Sequence, residues 1–176
     1  MAEEFSNSII LPVNLPHIRE EDFNPVDRKY LRLILIRHIV FLVIMTLSVL
    51  GFKVLSDEET PAYFPWIFGG VVAGIFCYSI IIAFLSFPFR GYLIREKDIA
   101  YKRGLIRFKL TSIPFRRIQH VELIQGVIAK QMNLATIKIY TAGGSSDDLS
   151  IPGLPVATAR HIREFLTGKI SSDEQG

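Results

Sequence analysis

Two apolar stretches in the first half of the chain are each long enough to cross a membrane. Residues 61–89 form 29 consecutive positions without Asp, Glu, Lys, Arg or His, and residues 31–55 are mostly apolar, with four basic side chains and no acidic one. A bilayer hydrocarbon core of roughly 30 Å requires about 20 helical residues. The pattern therefore predicts transmembrane helices within residues 25–55 and 63–89, joined by an external loop at residues 56–62.

The first helix is predicted to begin before it enters the membrane. Asn24 is a typical N-cap, Pro25 suits the first helical turn, and Asp27 is favourable near the positive end of the helix dipole. Residues 1–24 would then form a cytoplasmic tail, and this tail lacks the basic and apolar regions of a cleaved signal peptide. We therefore expect the first span to stay in the mature chain.

Arg37 and His38 interrupt the apolar pattern near the start of the first span. If the hydrocarbon core begins at Ile39, both side chains can reach the lipid head groups. The alternative is that one of them faces the interior of a helix bundle and binds a carboxylate. Neither of the two apolar stretches contains an acidic residue that could supply this carboxylate within one chain. The sequence leaves the role of these two residues open.

The charges that flank the spans predict their orientation. The connecting segment carries Asp57, Glu58 and Glu59, whereas basic residues cluster before the first span and after the second. By the positive-inside rule, both termini are then cytoplasmic.

The second span also carries small residues that can allow close helix packing. Their partner is either the first span or another protein chain, and the sequence leaves both possibilities open. The candidate helix-packing residues are Gly69, Gly70, Ala73 and Gly74.

After Arg90 the pattern changes from continuous apolar residues to alternation by twos, which is typical of half-buried antiparallel strands. A final helix is predicted at residues 155–167, beginning at Pro155 and ending at Gly168. About six strands and one helix predict an α+β domain at residues 90–170, followed by a disordered tail at residues 171–176. The alternating runs are residues 92–94, 99–101, 106–110, 117–124, 135–141 and 148–151, with a turn at residues 143–146.

A longer motif within this domain resembles a known family. Residues 113–121 read Ile-Pro-Phe-Arg-Arg-Ile-Gln-His-Val. They are followed by Gln125-Gly126 and then, at residues 137–144, by Ile-Lys-Ile-Tyr-Thr-Ala-Gly-Gly. Their order and spacing resemble the consensus of bacterial pleckstrin-homology (PH) proteins of the YdbS-like, membrane-flanked type. Family members usually carry an Arg and a Gly near residues 131–134. Here we expect Lys130 to supply the charge and Asn133 the left-handed turn.

The resemblance implies a membrane α-helical hairpin followed by a PH-like β-barrel with one C-terminal helix. It places the barrel on the cytoplasmic side of a bacterial plasma (inner) membrane. Because the second span passes through Arg90 into the first strand with almost no linker, we expect the domain to lie close to the bilayer in a restricted orientation.

Neither the resemblance nor the side chains indicate a reaction. The histidines His17, His38, His120 and His161 are predicted to lie in a tail, at a membrane boundary, in a strand and on a helix, and Cys77 is the single cysteine. No glycine-rich phosphate loop of the Walker or dinucleotide type is present. We therefore expect no enzymatic activity, no cofactor and no metal site.

Basic residues predominate after the second span, since residues 90–176 contain 14 Lys and Arg against 8 Asp and Glu. This excess suits an anionic membrane surface, whereas nucleic-acid binding, which would require a denser basic stripe with interleaved aromatic residues, is not expected. The excess either avoids repulsion from the leaflet or forms a lipid site. The candidate lipid-surface residues are Arg90, Arg95, Lys97, Lys102, Arg103, Arg107, Lys109, Arg116 and Arg117.

Arg95 and Lys97 fall in the first strand-to-strand loop, which holds phosphoinositide head groups in eukaryotic PH domains, but Glu96 and Asp98 interrupt this basic pair. The expected function is therefore a protein-interaction or assembly module at the inner membrane surface, with a protein partner or a homo-oligomer. The alternative is a module that senses or binds anionic lipid head groups. Membrane lipids are expected partners in both cases.

Overall fold

Two long helices precede a sheet-rich domain in the computed structural model, which describes residues 22–55, 61, 63–143 and 148–173. Helix α1 spans Lys29–Leu55 and helix α2 spans Phe64–Ser86. The segments Lys29–Gly51 and Trp66–Phe89 are long and apolar enough to cross a membrane, and only 6% of each apolar window is buried. These helices therefore expose an apolar surface that a bilayer would cover. Except for Pro61, the predicted external loop lies outside the described residues.

The predicted start of the first helix at residue 25 is wrong by four residues. Asn24–Pro25 form a short strand, β1, and helix α1 begins at Lys29. Asp27 provides the cap instead of Asn24, because the backbone N–H of Lys29 donates a hydrogen bond of 2.7 Å to Asp27 Oδ1. The local sequence is typical of a helix start, but the partner strand of β1 follows the second span and cannot be recognised locally.

Two antiparallel sheets form the domain, with strand orders β1-β2-β3-β4 and β5-β6-β7. The predicted α+β composition is present. Strand pairing among the described residues gives two separate sheets, so closure into one barrel stays a prediction. The strands that follow β1 are β2 at Gly91–Ile94, β3 at Asp98–Arg103, β4 at Lys109–Pro114, β5 at Ile118–Ile124, β6 at Leu134–Thr141 and β7 at Leu149–Pro155.

Short helical segments make the remaining connections. Phe87–Phe89 and Phe115–Arg117 are 3-10 turns, the first between α2 and β2 and the second between the two sheets. Helix α3, Val127–Gln131, lies between β5 and β6. Asn133 follows α3 with a φ of 57°, which confirms the left-handed turn predicted there.

Helix α4, Val156–Asp173, packs on the second sheet and contributes to the core. Ala159, Ile162 and Leu166 lie on its buried side, in agreement with the predicted apolar spacing. The helix continues through Gly168 to Asp173, so the predicted end at Gly168 and the disordered state of residues 171–173 are corrected. Ile170 packs against the core one turn beyond Leu166, and this burial offsets a helix cost of about 1 kcal/mol for glycine.

The alternating run at residues 106–110 is only partly a strand. Strand β4 begins at Lys109, and residues 105–107 form a bend. Ile106 and Phe108 are 75% and 58% exposed. The strand predicted there is therefore corrected to a loop with exposed apolar side chains. The predicted turn at residues 143–146 lies, except for Gly143, outside the described residues.

Candidate functional site

The segment before α1 and the segment after α2 are joined to each other within the domain. Strand β1 pairs with β2 through Asn24 opposite Tyr92 and Pro25 opposite Gly91. Val26 is only 3% exposed and belongs to the core of the domain. The chain that enters α1 is therefore hydrogen bonded to the chain that leaves α2, so the domain includes residues that the sequence assigned to a tail and a helix.

A second contact attaches α1 to the other sheet. The backbone N–H of Asp27 donates a hydrogen bond of 2.9 Å to the carbonyl of Gly153 in β7. Tyr30, in the first turn of α1, packs directly on Gly153, where an added Cβ would lie 2.4–2.7 Å from Tyr30 side-chain atoms. Gly153 also has a φ of +76°, a conformation that favours glycine.

Arg90 completes this attachment. Its guanidinium lies 5.6 Å from the centroid of the Tyr30 ring, within the range of a cation–π contact. The side chain of Arg90 thus bridges the end of α2 and the start of α1. These contacts restrict the orientation of the domain relative to the helices, and the sequence predicted such a restriction from the absence of a linker.

The register of β2 and β3 shows which end of the first sheet lies next to the two apolar helices. Strand β2 leaves the helices at Gly91 and runs away from them, and β3 runs back until Lys102 pairs with Gly91. We call this the membrane end of the sheet. The turn at residues 95–97 lies at the opposite end, which we call the distal end.

The nine candidate basic residues divide between these two ends. Arg95 and Lys97 lie in the distal turn, and Arg116 and Arg117 follow Pro114, which pairs with Asp98 at the distal end. The sequence assigned Arg95 and Lys97 to the first strand-to-strand loop, but it did not separate the other candidates, because strand register cannot be read from a local pattern. The five that the structure brings to the membrane end are Arg90, Lys102, Arg103, Arg107 and Lys109.

One pair of charges at the distal turn, Arg95 and Asp98, is satisfied within the protein. Arg95 Nε donates to Asp98 Oδ1 at 2.7 Å, and Arg95 Nη2 and the Ser112 hydroxyl both donate to Asp98 Oδ2. Burial raises the pKa of Asp98, but these hydrogen bonds together outweigh it and leave the pKa below its ordinary value. The carboxylate of Asp98 therefore stays ionised and holds Arg95.

A different surface forms at the membrane end. We call residues 103–110 the basic-apolar loop. Gly104 closes it with a φ of +99°, and a Cβ at Gly104 would lie 2.1 Å from the carbonyl oxygen of Arg107. Four apolar side chains in the loop are exposed to differing degrees: Leu105 at 39%, Ile106 at 75%, Phe108 at 58% and Leu110 at 42%.

Positive charge surrounds these apolar side chains. Arg103 and Lys109 are direct cross-strand partners, an arrangement that destabilises a sheet when both side chains are charged. No acidic side chain of the described residues forms an ion pair with Arg103, Arg107 or Lys109. The sequence predicted the basic residues of this loop but missed its apolar surface. The signal was Leu105-Ile106, two adjacent apolar residues that break the alternation expected of a strand.

The histidines do not converge with other metal-binding side chains, since the described residues contain no group of three or more. The ring of His120 stacks on Tyr140 at 5.9 Å, and its Nε2 lies 3.6 Å from Glu122 Oε1. The Tyr140 hydroxyl donates a hydrogen bond of 2.9 Å to Glu122 Oε2. His161 is exposed on α4, and His17 lies outside the described residues.

Arg37 and His38 both border a groove between α1 and α2, but their other contacts differ. His38 Nδ1 lies 2.7 Å from the carbonyl oxygen of Ile34 in the same helix. Arg37 is exposed and borders a groove of about 530 Å³ between α1 and α3, together with Leu33. The sequence did not predict this groove, because α3 comes next to α1 only in the tertiary structure.

The glycines of α2 have free space next to them among the described residues. Gly69, Gly70 and Gly74 have no atom within 4 Å of an added Cβ, and all three are exposed. Gly69 and Ala73 border a groove that also includes Leu42 of α1. Gly70 and Gly74 therefore leave a smooth strip of α2 without a close partner among the described residues.

Comparisons with known proteins cover both helices and the domain. A family model described as bacterial PH domain matches residues 32–170. The chain is also 26% identical over 166 residues to the UPF0699 transmembrane protein YdbS of Bacillus subtilis (strain 168), which covers 89% of this chain and 99% of that protein. No solved structure matches the chain. The resemblance carried by residues 113–144 is confirmed.

Proposed function

Because this chain belongs to the bacterial PH domain family and resembles a transmembrane protein over most of its length, we propose that it is a non-enzymatic assembly module of the plasma membrane. Both helices cross the bilayer, both termini are cytoplasmic, and the PH-like domain binds other proteins at the inner surface. The observation that carries this proposal is the attachment of the domain to both helices through the β1–β2 pair and the Tyr30–Gly153 contact.

The attachment matters because it transmits constraints between the membrane and the domain. A domain on a flexible linker samples many orientations, whereas a docked domain presents one defined surface. Lateral association of the helices would therefore also arrange the domains relative to one another. This coupling is what an assembly module requires.

The open strip at Gly70 and Gly74 supports self-association through α2. Small residues let two transmembrane helices approach closely enough for backbone packing, which favours association where lipid is as apolar as the helices. Because α1 leaves these two positions open, a second copy or another membrane protein can contact them.

Native mass spectrometry of the full chain in detergent with retained lipids tests this proposal. The wild-type protein should appear as an oligomer, and the double variant Gly70→Ile/Gly74→Ile should appear as a monomer. Gly51→Ile is the control, because it adds one such side chain at a position of α1 that is also open. A monomeric wild-type protein, or an oligomer that the double variant leaves intact, contradicts assembly through this strip.

A second candidate function, recognition of anionic lipid head groups, is favoured by the five basic residues at the membrane end. It predicts that the full chain purified from a mixed membrane retains one anionic lipid in excess over others of equal charge. Retention in proportion to charge alone contradicts head-group recognition.

A further inference from the structure

We propose that the basic-apolar loop inserts into the cytoplasmic interface of the bilayer that α1 and α2 span. Its apolar side chains would enter the boundary between head groups and acyl chains, and its basic side chains would contact anionic phosphates. The loop is then a third membrane contact in addition to the two helices. This inference does not depend on whether the protein assembles through α2.

The first step is the position of the loop. Gly91 follows the last turn of α2 closely and pairs with Lys102 of β3. Because β3 is antiparallel to β2, the residues after Lys102 continue back toward the helices. The loop is therefore on the side of the domain that faces the bilayer, and the two helices restrict how far it can lie from the lipid.

The second step is the exposure of its apolar side chains. Ile106 is 75% exposed and Phe108 is 58% exposed, so neither contributes to the core of the domain. Removal of such side chains from water is favourable in proportion to the apolar area covered. Scattered single apolar residues on a surface are ordinary, but here they are adjacent along one short loop.

The third step is charge. Arg103 faces Lys109 across the sheet, and Arg107 lies between them in the chain, so this short loop carries three positive charges without an acidic partner among the described residues. An anionic lipid surface relieves such repulsion and attracts each basic side chain. Basic side chains can also keep their charged ends at the phosphates while their aliphatic parts lie along apolar groups.

The fourth step is the shape of the loop. Gly104 holds the chain in a tight turn against the Arg107 carbonyl, so the apolar tip is already formed within the protein. A preformed tip loses less conformational entropy on insertion than a flexible segment does. The loop has an apolar tip, a basic border and a position next to the two spans. These three features together favour the bilayer as the binding partner of this surface.

Spin labelling of the full chain tests the insertion. In a Cys77→Ala background, a nitroxide is attached to the Ile106→Cys variant, and the protein is reconstituted in nanodiscs of phosphatidylethanolamine and phosphatidylglycerol. The label should lie about 5–10 Å into the head-group and acyl boundary. It should collide more often with oxygen, which concentrates in lipid, than with a water-soluble nickel complex. A label on Phe108→Cys should behave in the same way, which guards against a local effect of one substitution.

Glu96→Cys provides the matched control in the distal turn, and its label should collide mainly with the nickel complex. Equal nickel accessibility at residues 106 and 96 overturns the proposal. Protection of residue 106 from both oxygen and nickel also overturns it, because that result indicates cover by protein, such as a second copy of the chain.

A charge-neutralised variant tests the role of the basic residues. Arg103→Gln/Arg107→Gln/Lys109→Gln should move the label at residue 106 toward water in the same nanodiscs. Lys97→Gln/Arg116→Gln, at the distal end, should leave its depth unchanged. An unchanged depth in the triple variant overturns the role that we assign to these charges.

Discussion

The two turns that flank strand β3 have the same connectivity and opposite surfaces. At the distal end, Arg95, Asp98 and Ser112 satisfy one another through hydrogen bonds. At the membrane end, Arg103 faces Lys109, and Ile106 extends into the surroundings. A turn in water gains stability when its own charges are paired. A turn that lies against a bilayer can keep unpaired charges and exposed apolar side chains, because lipid head groups and acyl chains can contact them. The contrast between the turns is therefore an indication of what surrounds each of them.

Composition alone does not separate these ends. Each contains at least four of the candidate basic residues, and all of them lie within one short part of the sequence. What separates them is the direction of β2 and β3 and the attachment of the domain to α1. Each prediction below alters that attachment, one of the two ends, or the strand between them.

Gly153→Ala should have the largest effect, because it disrupts the attachment that makes one end face the membrane. The added Cβ would meet the Cβ, Cγ and Cδ1 atoms of Tyr30, which cannot move without moving α1, and the φ of +76° is strained for alanine. We expect a loss of roughly 2–4 kcal/mol in the free energy of unfolding. Thermal unfolding in detergent measures this loss.

The control for this change is Gly126→Ala, at a position with no atom within 4 Å of the added Cβ and with an extended conformation. It should alter the free energy of unfolding by less than about 0.5 kcal/mol. If Gly153→Ala unfolds at the wild-type temperature, α1 is not held to the second sheet as described.

Gly104→Ala should have the next largest effect, because it alters the membrane end alone. The added Cβ would lie 2.1 Å from the Arg107 carbonyl oxygen, at a φ of +99°. We expect a loss of about 1–3 kcal/mol, measured by the same unfolding experiment. Gly168→Ala is the contrasting variant, since Gly168 is helical and open, and it should stabilise α4 by up to about 1 kcal/mol. A neutral Gly104→Ala variant would show that the loop is not tightly closed.

Tyr101 tests the strand between the two ends through pH. Its buried hydroxyl has no hydrogen-bond partner among the described residues, and burial raises its pKa above the ordinary value. The unfolded chain loses this proton at about pH 10 while the folded chain keeps it, so stability falls as the pH rises above about 10.

Tyr101→Phe should therefore reduce the alkaline loss of stability, with a change within about 1 kcal/mol at neutral pH. Melting temperatures measured across this pH range check the expectation. Burial raises the pKa of the half-buried Tyr92 in the same direction, so Tyr92→Phe serves as the comparison. If Tyr101→Phe loses stability at alkaline pH as steeply as the wild type does, the hydroxyl of Tyr101 is not buried.

Asp98→Asn should have the smallest effect, and it makes the distal end resemble the membrane end by leaving Arg95 unpaired. Because Arg95 is exposed and solvent screens the pair, we expect a loss of about 0.5 kcal/mol. The pKa of Asp98 is lowered in the folded chain, so its contribution is present above the pKa of the unfolded carboxyl and is lost as the pH falls through the folded value.

Acid unfolding compared between Asp98→Asn and the wild type measures this contribution. Glu96→Gln is the matched control from the same turn, because it also replaces one carboxylate by an amide and leaves the hydrogen bonds among Arg95, Asp98 and Ser112 in place. If Asp98→Asn and the wild type lose the same amount of stability as the pH falls, the charges of the distal turn are no better paired than those of the membrane end.

The parts predicted correctly from the sequence are those whose signal is local. Continuous apolar runs indicated α1 and α2, helical spacing indicated α4, and the motif at residues 113–144 indicated the family. Asn133 was expected to be left-handed because it follows a short excursion where family members have glycine, and its φ of 57° agrees.

The errors arose where a contact made in the folded chain overrides the local pattern. Asn24–Pro25 looked like a helix start but pairs with β2, and residues 106–108 looked like a strand but lie in a closed loop. Gly168 looked like a helix end, yet the burial of Ile170 carries the helix further. For Asn24–Pro25 and Gly168 a long-range contact outweighs a local preference of about 1 kcal/mol or less, whereas residues 105–107 bend because Gly104 closes the loop against Arg107.

The sequence by itself determined that the chain has two membrane-length apolar helices, a basic sheet-rich domain and a family, because these properties depend on runs, periods and motifs along the chain. Only the tertiary structure decided which basic residues lie at the end of the sheet next to the two helices. Strand register and the Tyr30–Gly153 contact join residues that are far apart in sequence, and no local pattern specifies such pairs. The division between Arg95 and Arg103, only eight positions apart, is therefore a property of the fold.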